Sequence, residues 1–188
     1  MRASTQNPIR AQRPSMAIVA TAMCLALTPL SAAQGASGGI SPGGAGGASV
    51  PGGKAKIVDG GKAVAPAGAP QAVRDVIDAA NRIEDKPYIY GGGHGSFKDK
   101  GYDCSGAASY ALNGGGLLES PIDSTGMARY GEAGKGKWIS VYGAPSHGYI
   151  VVAGLRFDTS KTPGNGPGWS KSMRATAENY RVRHPAGL

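Results

Sequence analysis

The sequence predicts an α+β domain in which helices come first and a separate antiparallel sheet follows. Apolar residues recur with helical spacing from about residue 70 to residue 113, and they alternate with a period of two from about residue 137 onward. The segment that carries both patterns, residues 66–188, has about 120 residues. That length is enough for one small domain with one hydrophobic core.

Residues 1–65 differ in composition from this domain. Residues 1–33 resemble a secretory signal peptide, with Arg2, Arg10 and Arg13 at a basic start and a short apolar run before small residues. The run is shorter than the roughly 20 apolar residues of a membrane span, and an uncleaved anchor is the alternative. Residues 34–65 are rich in Gly, Ala, Ser and Pro and predict a flexible linker. Within it, "KAKIVDGGKAV" could form a strand or lie against the domain.

Two helices are predicted in the first half of the domain. The first lies in "APQAVRDVIDAANRIED", where one apolar stripe is formed by Val73, Val76, Ile77, Ala80 and Ile83. A glycine-rich loop, "KPYIYGGGHGS", follows it. The second helix runs from about Cys104 to Asn113, with Asp103 as the N-cap and Gly114 as the stop. The segment "STGMARYG" predicts a further short turn of helix.

Four later segments predict strands: "KWISVY", "HGYIVVAG", "LRFDTS" and "NYRVRH". A hairpin that turns at Ala153 and Gly154 places one wholly apolar set on a core face, namely Ile150, Val152, Leu155 and Phe157. The opposite face then carries His147, Tyr149, Val151, Arg156 and Asp158. In this register His147 and Asp158 are diagonal neighbours, with backbones roughly 7 Å apart, so their side chains can meet.

The cysteine content indicates a single thiol in the mature chain. Cys24 lies in the signal peptide, so Cys104 remains alone and cannot form an internal disulfide. Loss of residues 1–33 removes three of the 20 basic residues and none of the 12 acidic ones, which lowers the net charge from +8 to about +5. This charge suits an anionic neighbourhood such as a bacterial envelope, or a solvated basic surface without a partner. It is not clustered enough to indicate nucleic acid.

Cys104 occupies the first turn of the second predicted helix. A helix N-terminus presents unpaired N–H groups and the positive end of a dipole, which lower the pKa of a thiol and favour the nucleophilic thiolate. Ser105 and Gly106 keep the approach to it open. A neighbouring histidine held in one tautomer by a carboxylate would complete a Cys-His-acid arrangement. A buried, inert cysteine is the alternative, and the polar setting "YDCSG" argues against it.

Three motifs resemble the NlpC/P60 family of peptidoglycan peptidases, which are papain-like cysteine enzymes. They are "PYIYGGG" ahead of the cysteine, "GYDCSG" around it and "HGYIVV" at the start of a strand, in the family's order. From about Ala72 onward the domain also has nearly the family's length. The resemblance implies a papain-like NlpC/P60 fold, with N-terminal helices packed on a segregated antiparallel sheet.

The resemblance also implies roles for individual residues. Cys104 matches the nucleophile, His147 the general base, and Asp158 the third polar position, where the family often has His, Asn or Gln. The backbone N–H of Cys104 becomes an oxyanion donor. Positions that line the pocket for the substrate's amino-terminal side correspond to Tyr90 (or Tyr88), Asp103 and Ser105.

The sequence departs from the family at three places. The usual "GD" before the histidine strand is replaced by "KWISVYGAPS", Gly148 follows His147 where the family has an aliphatic residue, and the third position is an acid. These departures predict a divergent subgroup. His94 could contact substrate or supply loop polarity, and His184 could orient His147 or be a structural terminal residue. Trp138 and Trp169 are expected in the core or at the rim rather than as sugar platforms.

The function implied is a secreted or cell-envelope cysteine endopeptidase that hydrolyses amide bonds in peptidoglycan stem peptides, at the bond between D-γ-glutamyl and the diamino acid. The alternatives are a non-catalytic wall-binding module and an amidase or acyltransferase on the same fold. Anionic wall polymers are considered as further partners. We expect no cofactor, no metal, no nucleic acid, no stable membrane insertion after signal cleavage, and a monomer; the scattered histidines lack metal-ligand spacing.

Overall fold

A computed structural model describes residues 49–160 and 166–188 of the chain. The described residues form three α-helices: Gln71–Ile83 (α1), Cys104–Gly114 (α2) and Ser124–Met127 (α3). They also form nine strands: Ser49–Val50 (β1), Lys56–Ile57 (β2), Ala63–Pro66 (β3), Glu132–Ala133 (β4), Ile139–Ala144 (β5), His147–Val152 (β6), Leu155–Asp158 (β7), Gly168–Ser170 (β8) and Arg181–His184 (β9). The predicted α+β class, with helices before an antiparallel sheet, is confirmed. The predicted signal peptide lies outside the described residues.

The main sheet is antiparallel, with the strand order β4-β9-β5-β6-β7-β8. The core face of this sheet packs against α1 and α2. The predicted apolar stripe of α1 is buried. The sequence did not predict β4 and β8, because strands of two and three residues are too short to show an alternating pattern. None of the helices in the described part of the chain has the length and apolar character that crossing a membrane requires.

The hairpin of β6 and β7 has the predicted register. Val152 pairs with Leu155 and Ile150 with Phe157, and all four of these side chains are buried. Ala153 and Gly154 form the turn with positive φ angles of 46° and 85°, which is the backbone of a tight two-residue hairpin. The alternation of β6 therefore places His147 and Tyr149 on the face opposite Ile150 and Val152.

The predicted linker boundary at residue 65 is corrected by the structure. A second sheet, with the order β1-β3-β2, occupies residues 49–66. Ala55, Ala63 and Ala65 are buried in the hydrophobic core, and the Ala55 N–H donates to the Ala153 carbonyl at 2.9 Å. The segment "KAKIVDGGKAV" thus folds against the domain, which was the alternative offered for it. Linker residues 34–48 lie outside the described residues.

Two paired glycines bring α3 close to the main sheet. Gly143 on β5 pairs with Gly148 on β6, and both α-carbons face α3. A Cβ on Gly143 would lie 2.6 Å from the carbonyl carbon of Met127, and one on Gly148 would lie 2.5 Å from the Met127 sulfur. The glycine that departs from the family pattern after His147 therefore belongs to a close contact between helix and sheet.

We expect Gly143→Ala to lower the free energy of unfolding by about 1–3 kcal/mol, because the added methyl meets the rigid backbone of α3. Gly68→Ala is the matched control, since a Cβ there has no atom within 4 Å. Urea denaturation of both variants measures the difference. Equal urea midpoints for the two variants would show that α3 shifts to accommodate the methyl group without a loss of stability.

Candidate active site

Cys104 is the first residue of α2, and its position is fixed by the carboxylate before it. Asp103 has extended backbone angles, and its Oδ1 accepts the Gly106 N–H at 2.8 Å, as a helix N-cap does. Its Oδ2 accepts the Gly91 N–H at 3.1 Å. One carboxylate therefore ties the glycine-rich loop to the helix that carries the thiol.

His147 begins β6 and reaches both of its predicted neighbours. Its Nε2 lies 2.9 Å from Asp158 Oδ1 on β7, so the contact predicted from the hairpin register is confirmed. The Cys104 thiol lies beside the imidazole and the Gly148 backbone N–H, and both of these groups lower its pKa. Since Nε2 faces Asp158, the other ring nitrogen, Nδ1, is the one left for the sulfur. Thiol, imidazole and carboxylate thus form one continuous chain of contacts.

The surroundings of these groups favour their charged forms. Burial raises the pKa of the Cys104 thiol, but hydrogen bonds to His147 and Gly148 outweigh it and leave the pKa below its ordinary value. Burial alone would lower the pKa of His147, yet hydrogen bonds to Asp158 and Cys104 raise it to about 9. Burial would raise the pKa of Asp158, and hydrogen bonds from His147 and Arg174 lower it to about 2. These shifts favour the thiolate and the imidazolium over the neutral pair.

Asp158 is buried, with 1% of its surface exposed, and it has a partner that sequence reasoning missed. Arg174 donates from Nε to Asp158 Oδ2 at 2.8 Å, and from Nη2 to Ser160 Oγ at 2.6 Å. Arg174 lies between β8 and β9, at a position outside any helix or strand. It had no periodic pattern by which the sequence could place it.

An open cleft runs along both sides of Tyr88. One cavity of about 420 Å³ is lined by Tyr88, His147, Thr159 and Ser160. A second, of about 490 Å³, reaches Cys104 and is walled by the glycine-rich loop, by α2, and by residues 123–125 and 145–146. The predicted pocket residues Tyr88, Tyr90, His94, Asp103 and Ser105 all line this second cavity. Tyr90 is 89% exposed, so its ring stands at the mouth.

His94 contacts the residues predicted to bind substrate. Its Nε2 lies 3.0 Å from Asp103 Oδ1 and 3.2 Å from Ser105 Oγ. His94 therefore lies between the glycine-rich loop and the start of α2. The His94 imidazole thus links the glycine-rich loop to α2, and 30% of its side-chain surface remains exposed.

The other sequence candidates lie elsewhere. The His184 Nε2 lies 3.2 Å from Glu132 Oε2, and its Nδ1 lies 3.1 Å from the Gly134 carbonyl oxygen. Both ring nitrogens therefore have partners at or next to β4, and His184 does not orient His147. Trp169 is buried against Phe157 and donates to Asn81 Oδ1 at 2.8 Å, while Trp138 packs partly buried against the core. In residues 49–160 and 166–188, no three His, Cys, Asp or Glu side chains cluster closely enough to hold a metal ion.

Comparison with known proteins gives matches at the level of structure. No protein-family model and no curated protein matches the sequence. Solved structures do match. The chain is similar to NlpC/P60 proteins. An NlpC/P60 family protein from Bacillus cereus is 20% identical, with a TM-score of 0.46 over 60% of this chain and 39% of that one.

Two further structures show the same degree of likeness. The peptidoglycan hydrolase RipB from Mycobacterium tuberculosis is 24% identical, with a TM-score of 0.48 over 61% of this chain and 64% of that one. NlpC1 from Trichomonas vaginalis is 17% identical, with a TM-score of 0.45 over 62% and 45%. The chain spans less than two thirds of the length of each of these three structures.

Proposed function

We propose that the chain is a cysteine endopeptidase that hydrolyses amide bonds in peptidoglycan stem peptides. The observation that carries the proposal is the contact between the Cys104 thiol and the His147 imidazole, with Asp158 2.9 Å behind the ring. A buried, inert cysteine would have neither a base nor an open cavity beside it. The choice of substrate rests on the three motifs that resemble the NlpC/P60 family.

In the proposed reaction, the Cys104 thiolate attacks the carbonyl carbon of the scissile amide. The resulting oxyanion lies near the N-terminus of α2, where the first backbone N–H groups have no partner within the helix. The His147 imidazolium gives its proton to the leaving amine, and a thioester with Cys104 forms. His147, now neutral, then takes a proton from water as the water attacks the thioester, which releases the acid and restores the thiolate.

Asp158 supports both halves of this cycle. It accepts the Nε2–H of His147, which leaves Nδ1 directed at sulfur and leaving group, and its negative charge stabilises the imidazolium. The cavity with Asp103, Ser105 and His94 receives the amino-terminal side of the substrate. We propose the D-γ-glutamyl–diamino acid bond as the one cleaved, and export to the cell envelope through the signal peptide.

Digestion of purified peptidoglycan, followed by mass spectrometry of the released fragments, tests this function. The wild-type chain should release peptide fragments that begin with the diamino acid and leave D-γ-glutamate at the end of the wall-bound stem, and Cys104→Ala should release none while keeping the circular dichroism of the wild type. Release by Cys104→Ala at the wild-type rate would contradict the proposal. Wall binding without release by either protein would indicate a binding module, and a different opened bond or an added group would indicate an amidase or acyltransferase.

A further inference from the structure

The Asp158 carboxylate contacts more than one cationic side chain. Its side chain has no exposed surface, and its Oδ1 accepts from His147 and from the Ser160 backbone N–H at 3.1 Å. Its Oδ2 lies 2.8 Å from Arg174 Nε and 3.6 Å from Arg156 Nε. A single negative charge therefore faces two permanent positive charges as well as the imidazole. His147 therefore shares the Asp158 carboxylate with Arg156 and Arg174.

Arg174 is held in one orientation by several contacts. Its Nε and Nη2 bond to Asp158 and Ser160, and its guanidinium carbon lies 5.7 Å from the centre of the Tyr149 ring. A planar guanidinium fixes the directions of its donors, so these contacts define where its charge lies. The Nη2 atom is thereby brought to 2.8 Å from His147 Nε2.

The contact between Arg174 and His147 joins two nitrogens that cannot both donate to each other. When Nε2 carries a proton it donates to Asp158, and the Arg174 N–H groups face a positive ring once Nδ1 is protonated as well. When Nε2 has lost its proton, its lone pair can accept from Arg174 Nη2. Arg174 thus disfavours the charged imidazole that Asp158 favours, while it also holds Asp158 in place.

We propose that Arg174 is a positioning residue of the Cys104–His147 pair: its guanidinium fixes the Asp158 carboxylate against the imidazole and keeps a permanent positive charge beside it. The inference rests on the proposed function only in taking Cys104 and His147 as the reacting pair. No motif of the sequence marks Arg174, and it acts through Asp158 and His147 rather than on the substrate.

The other groups near the pair do not supply this charge. Those that lie near Cys104, His147 or the Asp158 carboxylate come from several elements: Tyr88, Asp103, Tyr149, Arg156 and Tyr180. Burial raises the pKa of each of the three tyrosines, which keeps them neutral across the working range. Among these neighbours, Arg174 is the cation that contacts the imidazole directly.

Removal of a positive charge raises the pKa of every titrating group near it. In Arg174→Gln, the thiol should therefore lose its proton at higher pH, and the imidazolium should also keep its proton to higher pH. We expect both midpoints to move upward by about one unit, the lower end of the effect of a charge within 4–6 Å. Arg174→Lys keeps the charge but cannot bond to Asp158 and Ser160 in the same planar geometry.

The test is the pH dependence of Cys104 alkylation by iodoacetamide, an uncharged reagent that needs no wall substrate. The wild-type rate should rise in two steps, first as the thiolate forms and then as His147 loses its proton. Arg174→Gln should move both midpoints upward, and Arg174→Lys should keep them near the wild type with slower wall digestion. Lys171→Gln, an exposed residue of the same segment, is the control for the loss of one charge.

Midpoints of Arg174→Gln that coincide with those of the wild type and Lys171→Gln would overturn the proposal. If Arg174→Gln does not fold, Arg174→Lys decides: an upward shift of about one unit despite the retained charge would overturn it equally. Shifted midpoints in a chain that releases no wall fragments would leave the role of Arg174 standing and remove the proposed substrate. Release of wall fragments by the wild type, together with unshifted midpoints in Arg174→Gln, would support the proposed substrate and contradict the role of Arg174.

Discussion

Replacement of His147 by alanine should reduce wall digestion by a factor on the order of 10³ or more, because the variant loses both its general acid and its general base. The Cys104 thiol should also react more slowly with iodoacetamide at neutral pH. His147 contributes to the lowered pKa of that thiol, and each unit of increase removes roughly nine tenths of the thiolate at a pH below the pKa. Initial rates of fragment release and of alkylation measure the two effects.

His184→Ala is the matched control for His147→Ala. The side chains of His147 and His184 are each 17% exposed, and each histidine contacts a carboxylate. His184 lies at β9 and contacts Glu132 instead of Asp158. A loss of activity as large in His184→Ala as in His147→Ala would mean that the loss reports on folding, and the assignment of His147 would fail.

Asp158→Ala should lower the free energy of unfolding by about 3–5 kcal/mol at pH 7, because it leaves the buried Arg156 and the half-buried Arg174 without their carboxylate. Burial would raise the pKa of Asp158, but hydrogen bonds from His147 and Arg174 lower it from 3.8 to about 2. The stabilisation is therefore complete above the ordinary value and is lost as the pH falls through about 2. Urea denaturation at pH 7 and at pH 3 should show a smaller difference from the wild type at the lower pH.

Asp78→Ala is the comparison for this loss, since Asp78 lies on the exposed face of α1. The free energy of unfolding of Asp78→Ala should differ from that of the wild type by less than about 0.5 kcal/mol. Asp158→Asn, which keeps the shape without the charge, should fall between Asp158→Ala and the wild type. Equal stability of Asp158→Ala and Asp78→Ala would show that Arg156 and Arg174 reach solvent without cost.

The sequence predicts the elements whose side chains follow a regular period. The alternation in β6 and β7 fixes the face of each residue once the hairpin turn is placed at Ala153 and Gly154, so the contact of His147 with Asp158 follows from local rules. The start of α2 follows in the same way from Asp103, whose side chain caps the helix.

Other parts depend on packing that no local pattern encodes. Arg174 reaches Asp158 from an irregular segment, and such segments take their course from tertiary contacts. Residues 49–66 look flexible because alanine and glycine offer little apolar surface. Ala55, Ala63 and Ala65 nevertheless fit against the body of the domain, where small side chains allow a close approach. Small residues carry too little signal to distinguish a linker from a tightly packed strand.

The outer strands of the main sheet have a consequence for self-association. The strand β4 has two residues and β8 has three, so neither border offers a long row of unpaired backbone groups to another copy. Long, flat borders are the ones that template aggregation. The short outer strands β4 and β8 therefore do not favour edge-to-edge association of this sheet with another copy.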